Sequence, residues 1–420
     1  MFALVDANSF YCSAEQVFRP DWRGKPIVVL SNNDGCVVAA NRQAKAAGIE
    51  KFKPWFQVKA LAEQHGVIAC SSNYELYSDL SAKMMQIVGQ FAPRQHIYSI
   101  DETFLDLTGM RLGEGALLEL GAVIRRTVWR EARLPVGVGF GDTLTLAKAA
   151  NHAAKRIEGF NGVCAINSES TRKSILSEMH VSDVWGIGRK LSKRLESMGI
   201  MTALQLSKIP IKLARKQFSV EVERLVLELN GTPTRNWDET RADKQQIFST
   251  RSTGERIEEL DSLKQAFAMH VSKASQKARQ QHSVAGAILV FAHNSPFDDG
   301  CTRGFKQLLR FPLATNDSLV IGRQVAMAIP RLYVDGVRYY KIGVGLVDLR
   351  PQEHVQYDLF SPPTEEPRLM CVLDKLNQRY GSDTVFVAAQ GIDPKWHMRR
   401  DMLTPQYTTD WRQIPLIQCR

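Results

Sequence analysis

The sequence predicts an α+β chain of several domains, on three observations. At 420 residues it exceeds what one hydrophobic core normally takes, so two to four domains are expected. Short strand-like apolar runs alternate with stretches of helical spacing instead of segregating into an all-α or all-β chain. A polar stretch from Thr232 to Gln246 then separates one such series from a second. The excess of Lys+Arg 54 over Asp+Glu 44, a formal charge of +10, favours a polyanionic partner, nucleic acid before membrane. No apolar run approaches the ~20 residues of a membrane span, and no charged leader precedes a cleavable apolar core. A cytoplasmic location with no membrane partner is therefore expected. The cysteines at 12, 36, 70, 164, 301, 371 and 419 are scattered and never in C-x-x-C spacing, which fits reduced thiols better than disulfides or zinc. The histidines show no ligand spacing either, so any metal should be a hard ion bound by oxygen.

The chain opens on Phe2-Ala3-Leu4-Val5, a continuous apolar run suited to a buried strand, with Asp6 at its end. Asp6 or Asn8 is placed to cap a helix through Tyr11 and Val17, which sets Phe10 and Tyr11 beside that carboxylate. Residues 26–30 read as a strand followed by a polar turn at 31–35. Residues 37–48 pass from apolar to helical and stop at Gly48; Arg42 and Lys45 share a helix face there, a pair that can hold phosphate oxygens or simply face solvent. Tyr74, Tyr77, Leu80, Met84 and Ile87 mark a helix over 74–91.

Residues 97–107 carry the strongest chemical signal: two apolar, β-prone runs interrupted by Asp101-Glu102. Strand alternation sends neighbouring side chains to opposite faces, but a tight turn or bulge brings both toward one cation. With Asp6 as the third carboxylate, a divalent-metal site of Asp6, Asp101 and Glu102 is expected. Asp106 is left as a strand-end or capping residue. A helix over 117–128, a strand over 136–140 and a basic helix over 143–156 follow, the last placing Lys148 and Lys155 on one face. The order β, inserted segment, α, β-turn-β, α, β, α predicts a ferredoxin-like sheet with a helical layer on one face.

At 181–199, Gly186-Ile187-Gly188 leads into a helix that buries Leu191, Leu195 and Met198 and leaves Arg189 and Lys190 available. Such glycines let a backbone approach phosphate closely and offer it free N–H groups, so Gly186, Gly188, Arg189 and Lys190 form a helix-hairpin-helix-like DNA-binding element. Beyond the linker, strands over 247–257, 284–293, 305–311 and 338–349 with helices over 261–282 and 316–335 predict a second α+β domain in β-α-β-β-α-β order. Its many basic residues predict sequence-tolerant, salt-dependent binding to a phosphate backbone. Gln356-Tyr357-Asp358-Leu359-Phe360, followed by prolines, has the texture of a peptide docked in another protein's groove, and 394–420 reads as a basic tail.

Four blocks in this order, Asp6 with Phe10-Tyr11, Ser99-Ile100-Asp101-Glu102, Leu146-Ala147-Lys148 and Trp185-Gly186-Ile187-Gly188, resemble the Y-family translesion DNA polymerases, and within them the UmuC-like catalytic subunit of bacterial DNA polymerase V. The resemblance implies a right-hand polymerase: palm at 1–10 and 74–166, fingers at 11–73, thumb at 167–235, linker at 236–246, little finger at 247–350 and a partner-binding region at 351–420. It implies low-fidelity, template-directed synthesis on a primed DNA template with dNTPs, in the SOS response to DNA damage. Two Mg²⁺ ions are implied, with Asp6 and Asp101 ligating both, Glu102 the primer-side ion, and the Ala7 carbonyl adding a ligand. Tyr11 matches a steric gate against the ribose 2′-hydroxyl, and Lys45, Lys155 and Arg42 match positions for the triphosphate. Some relatives carry an aromatic at the Arg42 position, and Leu144 stands where the family often has lysine. Gln356, Leu359 and Phe360 resemble a sliding-clamp-binding peptide, and a UmuD′-like dimer and RecA are implied as further partners. Two other classes fit the same residues: a nucleotide cyclase-like enzyme on a ferredoxin-like palm, and a non-catalytic DNA-binding module with structural acids.

Overall fold

Ala3, Leu4 and Val5 are all buried, as a continuous apolar run requires of a strand covered on both faces. The computed structural model describes residues 1–420 except 111, 236–242, 297, 299–300, 355–366, 393–395 and 417–420. Among the described residues the chain forms two units, Met1–Thr240 with Asp401–Arg420, and Arg241–Arg400.

In the first unit β1 (Phe2–Ala7) leads into α1 (Phe10–Val17) and an insertion of β2 (Ile27–Leu30), β3 (Val37–Ala40), α2 (Arg42–Ala46), α3 (Trp55–Gln64) and β4 (Ile68–Ser71). There follow α4 (Tyr74–Val88), β5 (Arg94–Ile97), β6 (Glu102–Asp106), α5 (Glu114–Ala132), β7 (Val136–Gly141), α6 (Leu144–Arg156) and β8 (Val163–Ile166). The main sheet has the order β5-β6-β1-β7-β8, antiparallel except for the β7–β8 pair. Its first four strands have the ferredoxin-like order that the sequence predicts, and β8 extends them.

Helices cover both faces, not the single face expected. Period-two alternation sends Ala3, Val5 and Ala7 into a core with Leu76 and Met84 of α4 and Ile124 and Val128 of α5. Leu4 and Phe104 point the other way, against Leu144 and Ala147 of α6. The second layer depends on glycine: a Cβ at Gly139 would stand 2.1 Å from Asn151 N, and one at Gly141 would stand 2.6 Å from Ala147 N. Without side chains there, α6 lies directly on β7. The expected cap by Asp6 or Asn8 also differs, since Ser9, in a left-handed conformation at φ 46, is the N-cap of α1 and makes no side-chain cap bond.

The insertion forms a three-stranded sheet, β3-β2-β4, with α2 capped by Asn41, whose Oδ1 accepts from Ala44 N at 2.9 Å. A helical segment follows: α7 (Glu169–Glu178), α8 (Arg189–Ser197), α9 (Ala203–Ser207), α10 (Ile211–Gln217) and α11 (Val220–Leu229). Buried Glu228 of α11 accepts from Thr145 N, Thr234 N and Arg235 N, tying this segment to the start of α6.

The expected basic tail is not one in its described part. Ser71 N donates to Met402 O at 2.9 Å, Met402 N donates to Ser71 Oγ at 3.0 Å, and Tyr407 stacks on Phe18 at 4.7 Å. Met402 and Tyr407 are apolar anchors that the basic composition of the segment hides.

The second unit contains β9 (Ile247–Ile257), α12 (Leu260–Gln280), β10 (Ser283–His293), β11 (Gly304–Thr315), α13 (Ser318–Leu332), β12 (Tyr339–Pro351) and α14 (Pro367–Tyr380). The β-α-β-β-α-β order is as predicted, and its antiparallel sheet runs β11-β10-β12-β9. Several expected DNA-facing cations are paired within the unit: Arg279 with Asp374 at 2.6 and 2.8 Å, Arg256 with Asp298, and Lys264 with Asp261. Lys306 and Arg310 on edge strand β11 stay exposed, two positions to either side of Leu308 on the same face.

Buried His270 meets Ser249 Oγ through Nδ1 at 3.0 Å. Burial, reinforced by Arg251, Lys273 and Lys341, pushes its pKa down to about 3. The unfolded chain takes this proton near 6.5 and the folded chain does not, so the resulting stability is full above about pH 6.5 and is lost as pH falls toward 3. Between pH 6.5 and 5 the loss should be roughly 2 kcal/mol. Chemical denaturation of the second unit's transition at both pH values, in the wild type and His270→Gln, checks this; the variant should show the smaller acid sensitivity.

Candidate active site

Asp6 and Glu102 are directly opposed across the antiparallel β1–β6 pair. Their side chains therefore leave the sheet together, on the face of Leu4 and Phe104 that α6 covers. Two α6 lysines meet them. Lys148 Nζ donates to Glu102 Oε1 and Oε2 at 2.9 and 3.0 Å, and Lys155 Nζ stands 2.5 Å from Asp6 Oδ1. Asp101 occupies the turn just before β6. Ser99 Oγ accepts from the backbone N–H of Asp101 and of Glu102, at 3.2 and 3.1 Å, and donates to Asp101 Oδ1 at 2.6 Å. Ala7 N donates to Asp101 O at 2.9 Å, tying that turn to the end of β1. Asp106 plays the part the sequence left for it: it closes β6, accepts from Thr108 N at 2.8 Å and pairs with Arg94.

The three carboxylates line one cavity of about 1410 Å³, together with Ala7 and Tyr11. Burial pushes the Asp6 carboxyl up to about 6; Lys155 opposes that rise, and the charges of Glu102 and Asp101 add to it. Among the described residues no three acidic, histidine or cysteine side chains already converge as a ligand cluster. Each acid instead has its own partner, Lys155, Ser99 or Lys148. The donors nevertheless fit a hard divalent ion, being oxygen only and carrying up to three negative charges, and the two lysine ammoniums bond the oxygens such an ion would take.

Tyr11, on the first turn of α1, stacks on Tyr77 at 4.5 Å with 18° between the rings, and Tyr74 meets it edge-on at 6.3 Å. Arg42 and Lys45 of α2 line the same cavity. So do Lys51 and Arg156, which sequence reasoning did not single out; the signal lay in the basic Lys51-Phe52-Lys53 run and in the neighbour of Lys155. Burial, with the like charges of Lys51 and Arg156, pulls the Lys45 pKa down, as expected where cations crowd. Lys148 is caged as well as paired, its Nζ 4.8 Å from the Tyr98 ring centre and 5.0 Å from that of Trp185, which Arg235 covers at 4.4 Å. Gly186 takes φ 95 in the turn after Trp185, and Gly188 is the N-cap of α8, so Arg189 and Lys190 are exposed on its first turn. The predicted peptide of Gln356, Leu359 and Phe360 lies outside the described residues.

Residues 5–152 match the impB/mucB/samB family, 169–200 its HHH motif, 244–359 its C-terminal domain, and 367–417 a domain of unknown function, DUF4113. The chain is 42% identical over 419 residues to Protein UmuC of Salmonella typhimurium, covering 99% of both chains. It belongs to the UmuC-like Y-family DNA polymerases. It is also 26% identical to a DNA polymerase IV of Dehalococcoides mccartyi, over 91% of this chain and 95% of the other. A Y-family polymerase chimera of Dbh and Dpo4 has the same fold, with a TM-score of 0.64 at 19% identity, covering 83% of this chain and 99% of that one. The multidomain α+β fold predicted from sequence is thus that of a Y-family polymerase. This polymerase is a DNA-directed enzyme of translesion synthesis, and the cyclase and non-catalytic readings fall away.

Proposed function

We propose that nucleotidyl transfer takes place in the cavity between β1, β6 and α6. The observation that carries this is the opposition of Asp6 and Glu102 across the central strand pair, with Asp101 in the adjoining turn. Two Mg²⁺ ions would be held by Asp6, Asp101, Glu102 and the Ala7 carbonyl, with Lys148 and Lys155 giving up their carboxylates. Such ions activate the primer 3′-hydroxyl and stabilise charge on the attacking and leaving oxygens. The chain's own residues do the positioning. Lys155, once released by Asp6, takes the triphosphate oxygens with Arg42 and Lys45, and Tyr11 supports the sugar. Val38 and Ala39 line the cavity with little bulk, which supports tolerance of distorted base pairs and low fidelity. Gly186, Gly188, Arg189 and Lys190 hold the DNA backbone by their N–H groups and cations.

The β1–β5–β6–β7–β8 sheet with its helices would be the palm (1–10 and 74–166), the small sheet the fingers (11–73), α7–α11 the thumb (167–235), and the sheet of 247–350 the little finger. Family membership supports a sliding clamp at Gln356, Leu359 and Phe360, partnership with a UmuD′-like dimer and RecA, and a place in the SOS response. A cytoplasmic location accords with the lack, among the described residues, of any helix long and apolar enough to cross a membrane.

Primer extension on an abasic template with dNTPs and Mg²⁺, with and without clamp and UmuD′-like dimer, tests this reading. Metal-dependent bypass is expected, and failure under every condition overturns it. Lys155→Ala should raise the KM for dNTP about tenfold, the worth of one partly exposed charge-assisted hydrogen bond, with a smaller change in kcat. Steady-state kinetics of a single insertion separates the two.

A further inference from the structure

We propose that the C-terminal segment 401–407 buttresses the nucleotide pocket: it fixes the ring of Tyr11 through Asn73, Glu15 and Tyr77 and so takes part in setting sugar selectivity. The inference rests on the reading of Tyr11 as the gate under the incoming sugar.

Behind Tyr11 lies a buried polar network. Tyr77, fully buried, stacks against the Tyr11 ring and donates from its hydroxyl to Glu15 Oε1 at 2.6 Å. Glu15 is 1% exposed and sits one helical turn after Tyr11 on α1, so the two ends of this contact belong to the same helix. Asn73 is completely buried and caps α4, the helix that carries Tyr77. Its Nδ2 donates to Thr404 Oγ1, Thr404 O and Pro405 O at 3.1, 3.2 and 3.3 Å. The Thr404 hydroxyl oxygen accepts from Asn73. Burial raises the Glu15 carboxyl, and the hydroxyls of Tyr77 and Thr404 both oppose that rise. Glu15 Oε2 has no partner within hydrogen-bond distance among the described residues.

A buried amide is costly unless satisfied, and residues from more than 300 positions away supply what Asn73 lacks. Met402 on Ser71 and Tyr407 on Phe18 fasten the segment on either side of Thr404. Removal of the segment would leave Asn73 free to seek water, and with it the start of the helix that carries Tyr77 onto Tyr11. The C-terminal region, whose family match carries no function, thereby acquires one in the polymerase pocket.

Full-length Thr404→Val, Thr404→Ser, Tyr407→Ala and Tyr11→Ala test this by single-nucleotide insertion with matched dNTP and rNTP. The readout is the ratio of the two kcat/KM values. Thr404→Val should lower discrimination about five- to tenfold, the worth of one modest hydrogen bond, mainly through the KM for rNTP. Thr404→Ser, which keeps the hydroxyl, should restore it; a merely structural role for the side chain would not make that distinction. Wild-type discrimination in Thr404→Val while Tyr11→Ala loses it overturns the buttress and leaves the gate standing. Unchanged discrimination in Tyr11→Ala defeats the gate itself, and the buttress with it. Should Thr404→Val not fold, Tyr407→Ala loosens the same segment from its outer side, and wild-type discrimination there overturns the proposal equally.

Discussion

Asp101→Ala should abolish primer extension, lowering the single-turnover rate by at least about 10³-fold, while primed DNA still binds. The size follows from the metal-binding role proposed for the carboxylate. Loss of one preorganised electrostatic partner of a phosphoryl transition state costs on the order of 3–4 kcal/mol, and a ligand shared between two ions should cost no less. Asp101 is also the cleanest of the three acids to remove. Asp6 and Glu102 each bond an α6 lysine, so their loss would free a partly buried ammonium beside the sheet. Among the described residues the Asp101 carboxylate bonds only the Ser99 hydroxyl, and its backbone stays fixed by Ser99 Oγ and by the bond from Ala7 N. The fold should therefore survive the change. The DNA contacts proposed at Gly186–Lys190 are on another element, so the Kd for primed template should stay within about twofold. Quench-flow extension and fluorescence anisotropy measure the two quantities separately. Undiminished extension by Asp101→Ala would falsify the assignment of the active site.

Much of that site was legible because its signals are local. A continuous apolar run ending in Asp6, and two β-prone runs broken by Asp101-Glu102, need no knowledge of distant contacts to mark strand ends carrying acids. Helical periodicity likewise put Lys148 and Lys155 on one face. Pairing the two sets was not legible, because it depends on which side of the sheet α6 lies. That is decided by glycines in β7 which, in sequence, look like weak points in a strand. In the sequence Tyr77 is one apolar tooth of a helix. Its burial beside Glu15 and its stack on Tyr11 are tertiary facts. Least visible was the return of residues 401–407: no period connects Thr404 to Asn73, and basic, proline-bearing composition argues for a loose end. Composition also overstated the DNA-facing charge of α12, since Arg279 is held by an aspartate nearly a hundred residues away.

Tyr11→Ala should lower discrimination against ribonucleotides by roughly 100-fold while retaining dNTP insertion. The ring lies in the same cavity as Asp6, Asp101 and Lys155, and it cannot retreat, because Tyr77 backs it at 4.5 Å and Tyr74 closes its edge. A 2′-hydroxyl placed against such a ring overpacks the pocket. Overpacking of this kind costs about 1–3 kcal/mol, or roughly ten- to a hundredfold in relative kcat/KM, and a ring braced from two sides should reach the upper end. Alanine opens that space, so the change should appear as a large fall in the KM for rNTP and a modest loss in dNTP efficiency from the missing support. Tyr11→Phe makes the argument specific. Exclusion by the ring predicts near wild-type discrimination in that variant, whereas a role for the phenol hydroxyl predicts that Phe behaves like Ala. Matched single-turnover insertion of dNTP and rNTP decides between them, and equal sugar selectivity in the wild type and Tyr11→Ala would remove Tyr11 from the nucleotide pocket altogether.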